Sequence, residues 1–89
     1  MKFDSYSDGG HGWVRVPRKL LIKIGIESKI TPYSYQRGEW VYLEEDADVT
    51  LFWRTMHELG DKPEFRHHTT DKLSKIRGYE SFKPTQGAT

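Results

Sequence analysis

Between residues 33 and 43, two β-rich runs flank Arg37 and Gly38, and this hairpin signal constrains the chain more than any other local feature. Glycine accepts the positive φ that two-residue turns require. With the bend at Arg37-Gly38, Gln36 opposes Glu39, Tyr35 opposes Trp40, Ser34 opposes Val41 and Tyr33 opposes Tyr42. Tyr33, Tyr35, Trp40 and Tyr42 then share one face, and Ser34, Gln36, Val41 and Leu43 share the other. The sorting depends on the turn, because a one-residue change in its length sends alternate side chains to the wrong side.

Those rings matter because aliphatic residues are scarce. Leu, Ile, Val and Phe supply 19 of 89 residues, just above the ~20% below which a highly charged chain reads as disordered. The net charge is only +1 and 13% of residues are aromatic, so a small core built on rings can form. The length suits one domain, expected over residues 1–83, with residues 84–89 as a frayed tail.

Residues 2–7 alternate weakly and read as a strand. Asp8, Gly9, Gly10, His11 and Gly12 supply a turn, and Trp13 to Val16 resume extended propensity, so a first hairpin is expected. Pro17 suits the first turn of a helix over residues 18–24, with Leu20, Leu21 and Ile24 inward, Arg18, Lys19 and Lys23 facing water, and Gly25 as the stop. A longer helix starts at Ala47 or Val49 and runs to Leu59, with Val49, Phe52, Trp53, Met56 and Leu59 as one apolar stripe. Gly60 and Pro63 end it. Glu44, Glu45, Asp46 and Asp48 lie at its positive end, where an Asp can cap free amides. Residues 64–68 read as a last strand, and Leu73, Ile76, Tyr79 and Phe82 recur every three residues in what reads as a docked turn or short helix. The fold class expected is α+β: a small antiparallel sheet of four to five strands with one short and one longer helix packed on one face.

Several classes are excluded or disfavoured. The chain contains no Cys, so there is no disulfide framework, thiolate zinc site or Cys nucleophile, and a reducing cytoplasm is the expected setting. No apolar run approaches a signal sequence or a membrane span. The acidic run lacks a calcium-binding loop, and capping explains it without a metal. His11, His57, His67 and His68 lack metal-ligand spacing, and adjacent His67 and His68 point to opposite sides of a strand. No nucleophile elbow or phosphate loop is present. No cofactor and no metal site are expected.

The motifs Gly10-His-Gly-Trp13, Leu21 through Gly25-Ile26, Tyr33-Ser-Tyr-Gln-Arg-Gly38, Val41-Tyr-Leu-Glu-Glu-Asp46 with Asp48, and Ile76-Arg with Tyr79 resemble those of small uncharacterised proteins of bacteriophages and mobile elements. That group carries no established activity. The resemblance implies an accessory protein in the cytoplasm of a bacterial host cell, aimed at host machinery.

Three functions follow as expectations. The first is a noncatalytic module that binds a bacterial host protein through His11, Trp13, Tyr33, Tyr35, Arg37, Trp40, Tyr42, Glu44 and Glu45, since Trp, Tyr and Arg are the usual interface anchors. The second is single-stranded nucleic-acid binding by the aromatic hairpin face with Arg15, Lys29, Arg37, Lys72, Lys75 and Arg77. The third and least favoured is a small metal-dependent enzyme using Glu44, Glu45, Asp46 and His11. The rings serve equally well as core. Pairing of free sheet edges would also allow a homodimer.

Overall fold

Asp8 to His11 turn the chain between β1 (Lys2–Ser7) and β2 (Gly12–Pro17), which pair antiparallel. In the computed structural model, which describes residues 1–85, β2 leads directly into α1 (Arg18–Lys23), and a 3-10 turn at Glu27–Lys29 follows. The second hairpin is β3 (Tyr35–Arg37) with β4 (Trp40–Glu44). Then come α2 (Asp48–Glu58), β5 (Glu64–Thr69), a 3-10 turn at Lys75–Gly78 and the short β6 (Glu80–Ser81).

The six strands form one open sheet in the order β5-β1-β2-β4-β3-β6, an α+β fold with both helices on one face. The expected four or five antiparallel strands are extended in two ways. β5 pairs parallel with β1, because α2 carries the chain across the sheet and a crossover returns the strand in its original direction. β6 adds a two-residue pairing to β3 that carries no signal of its own.

The second hairpin turns one residue later than expected. Tyr35 pairs with Tyr42, Gln36 with Val41 and Arg37 with Trp40, so the two-residue loop is Gly38-Glu39 rather than Arg37-Gly38. Gly38 alone takes a positive φ, +59°, which is the glycine-first pattern of a type II′ turn. Sliding a two-residue loop by one position moves each partner by two, so the facing is preserved. Tyr35, Trp40 and Tyr42 still share a side. Tyr33 precedes the strand, leaves the row and is replaced in it by Arg37.

On the helix side, Phe3, Val14, Val16, Leu21, Ile26, Ile30, Val41, Leu43, Phe52, Met56 and Phe82 form the main core. Phe3 meets Phe52 edge to face at 5.2 Å. Trp53 and Leu59 were expected in this stripe, yet they stand 46% and 63% exposed, because an eleven-residue helix has only one face against the sheet. Arg18 also departs from expectation. It turns inward to meet the buried Glu27 at 2.6 Å and the Lys83 carbonyl at 3.0 Å, and its guanidinium lies over the Phe82 ring. Thr85 donates to Glu27 from its amide and hydroxyl at 2.8 and 2.7 Å. Residues 84 and 85 of the expected tail thus lie against the 3-10 turn, and residues 86–89 of it lie outside the described residues.

The N-cap position of α2 is Ala47, which has no polar side chain to cap with, and Glu44 upstream, not an Asp, takes the leading amides. It accepts from the amides of Asp46, Ala47 and Asp48 at 2.9, 2.6 and 3.0 Å. Burial pushes its carboxyl up, but these donors outweigh that and hold it below its ordinary value. Asp48 is buried and turns back to accept from the Thr31 amide and hydroxyl and from the Ser34 hydroxyl at 2.5 Å. Ser34 in turn accepts from the Glu44 amide, which ties the start of β3 to the start of α2.

Glu44→Ala is expected to cost about 1 kcal/mol, the usual scale of a lost cap, and to lower the Tm by several degrees, roughly 4–8 °C for a domain of this size. Thermal melts followed by circular dichroism check this, and an unchanged Tm would remove the capping role.

Candidate functional site

The side of the sheet away from the helices carries a second, aromatic core. Trp13, Tyr42 and Ile76 are buried there, with Tyr6, Tyr35 and Tyr79 half-buried around them. Ring centroids lie 6.2 Å apart for Trp13 and Tyr35, and 5.1 Å apart for Tyr42 and Tyr79, within the range of attractive aromatic pairs. The Lys75–Gly78 turn closes over this face. The three-residue apolar spacing near the carboxyl end thus splits between layers: Ile76 and Tyr79 cover the aromatic core, Phe82 joins the main core, and Leu73 is 77% exposed.

Asp8 holds that closing segment in place. Its buried carboxylate accepts from the amides of Gly10 and His11 within its own turn, from the Ser74 amide at 2.9 Å, and from Arg77 Nε and Nη2 at 2.6 and 3.0 Å. The Arg77 guanidinium, and then the Ser74 amide, hold the Asp8 carboxyl well below the usual carboxylate range. The same bond raises Arg77. Arg77 also lies 5.7 Å from the centroid of Trp13, so one guanidinium makes a forked ion pair and an aromatic contact.

At the edge of this layer, where β4 ends and the β1–β2 turn sits, a cleft of about 480 Å³ opens. Trp13 and Tyr35 form its aromatic side and Arg77 its back. Tyr33, 78% exposed, stands at the mouth. Three acids, Glu44, Glu45 and Asp46, also line the cleft, with His11 beside Glu45. Glu44 is engaged by the helix amides, whereas Glu45 has only a loose approach to His11 Nδ1 at 3.9 Å. Asp46 is exposed and has no ion-pair partner among the described residues.

Six of the residues expected to bind, His11, Trp13, Tyr33, Tyr35, Glu44 and Glu45, thus meet in one cleft. Three do not. Tyr42 is buried in the aromatic core, Arg37 lies over the Tyr79 ring at 5.0 Å, and Trp40 sits at the far end of β4. The nucleic-acid set is scattered. Arg15 stacks on Trp40, Lys29 ends the first 3-10 turn, Lys72 precedes the closing segment and Lys75 begins it, and Arg77 is bound to Asp8. Arg77 is the cleft residue that sequence reasoning placed in the nucleic-acid set instead. The turn-forming Asp8 was legible, but its partner lies 69 residues away. Among the described residues, no group of three or more His, Asp or Glu could hold a metal ion.

No protein-family model matches the chain, no curated protein matches it, and no solved structure matches it.

Because the folded-state carboxyl of Asp8 binds its proton more weakly than the ordinary value of 3.8, its contribution is complete above that value and is lost as pH falls below it. Glu44 and Glu27 act in the same sense below their ordinary 4.5. The Tm is expected to be level near neutral pH and to drop on acidification below about 4.5, with Asp8→Asn less stable at neutral pH and flatter against acid. Arg77→Lys is not expected to rescue the forked contact. Melts across pH, with near-ultraviolet dichroism reporting Trp13, check all three; a wild-type acid profile for Asp8→Asn would overturn the assignment.

Proposed function

We propose that this chain is a noncatalytic binding module and that the cleft takes a basic segment of a partner protein. The observation that carries the proposal is the pairing of exposed Tyr33 and the Trp13–Tyr35 rings with Glu45 and Asp46, which have almost no internal partners. Aromatic faces attract cations, and a neighbouring carboxylate adds a charge-assisted hydrogen bond, so a Lys or Arg side chain satisfies both. The two best-held acids nearby, Glu44 and Asp8, are occupied by helix amides and by Arg77, which favours recognition over acid–base chemistry. The resemblance to phage and mobile-element proteins points to a bacterial host protein as the partner.

Immobilised protein incubated with bacterial lysate at micromolar concentration is expected to retain a discrete partner. Tyr33→Ala is expected to weaken retention roughly 30-fold, the effect of losing a ~2 kcal/mol anchor, and Glu45→Lys to abolish it. Leu59→Ala, exposed elsewhere, is the control. Failure to retain any partner, or equal retention by all three variants, overturns the proposal.

A further inference from the structure

We infer that the opposite end of the strands carries a second site, for single-stranded nucleic acid, built around Trp40. The formal net charge of +1 conceals a segregation. Where β1 begins and β2 and β4 meet α1, a groove of about 700 Å³ is lined by Lys2, Arg15, Lys19 and Lys23, with Asp4 the only acid. Asp4 is already neutralised: it accepts from Arg15 and His68 at 3.0 Å each and lies 3.6 Å from Arg66. Lys2, Lys19 and Lys23 are exposed and have no carboxylate partner among the described residues. Three ammonium groups without a carboxylate partner among the described residues therefore face an open groove, beside the Arg15 guanidinium that Asp4 already pairs.

An aromatic ring at its wall distinguishes this groove from a merely basic surface. Trp40 is 40% exposed and borders both this groove and an adjoining one of about 510 Å³ that includes Pro17, Lys19, Ile22 and Gly38. Arg15 lines only the larger groove and lies 4.2 Å from the indole centroid, which fixes the ring and leaves its other face for the smaller groove. A base stacked on that face lies beside Lys19, which lines both grooves, and the strand running on into the larger groove meets Lys23 and Lys2. Ring stacking with a cationic track is the chemistry of single-strand binding, whereas a polyanion without rings, such as oligoglutamate, has nothing to stack on the indole. Glu39, in the smaller groove, is the one opposing charge there.

The test is fluorescence anisotropy of the full chain with a labelled oligothymidylate of about 8 nucleotides, within the usual span of such surfaces. Affinity is expected to fall with salt, with a log–log slope of about −2 for the three unpaired ammonium contacts at ~0.7 each. Trp40→Ala is expected to weaken binding roughly 10-fold, Trp53→Ala to leave it unchanged, and the exposed pair Lys19→Glu with Lys23→Glu to abolish it at moderate salt. The lysine pair lies outside the core, so its effect stands even if Trp40→Ala is destabilised. Glu39→Gln is expected to tighten binding. Absence of binding at low salt, preference for duplex, or equal competition by oligoglutamate overturns the inference.

Discussion

The buried carboxylate of Asp8 is the contact on which the aromatic side of the sheet depends. It satisfies two amides of the turn it belongs to and then reaches across to Ser74 and Arg77. Without it, the Lys75–Gly78 turn has no polar anchor over the aromatic layer, and Ile76 and Tyr79 lose the segment that presses them onto Tyr42. A charge this enclosed is costly to bury unless it is fully partnered; five donors partner it. The cleft is a by-product of that closure, because its back wall is Arg77 itself.

A chain with few aliphatics resolves its shortage by using both sides of one sheet. Aliphatic side chains and Phe fill the layer under the helices, while Trp and Tyr, which can bury their bodies and keep their polar tips near water, fill the other. The rings are thus both core and surface. Trp13 and Tyr42 are core, Tyr33 and Trp40 are surface, and Tyr35 lies between them. The two buried acid networks, Glu27 with Arg18 and Thr85, and Asp48 with Thr31 and Ser34, tie loops to the helix layer and account for most of the remaining buried polarity.

The strand direction sets the electrical character of the molecule. β4 begins at Trp40 beside the start of α1 and ends at Glu44 beside the start of α2, so one end of the sheet collects Lys2, Arg15, Lys19 and Lys23 and the other collects Glu44, Glu45 and Asp46.

Local signals settled a great deal: both hairpins, both helices, the terminating glycines and the alternation that sends Val41 and Leu43 one way and Tyr35 and Tyr42 the other are properties of adjacent residues, and period and turn chemistry suffice for them. Even the misplaced bend preserved that alternation, since sliding a two-residue loop does not change facing. Tertiary structure alone decided the parallel placement of β5, the pairing of Asp8 with Arg77, the inward turn of Arg18 and the sorting of rings into core and rim. Each joins residues tens of positions apart, and the energy that selects them comes from desolvation and donor geometry, which no local pattern encodes.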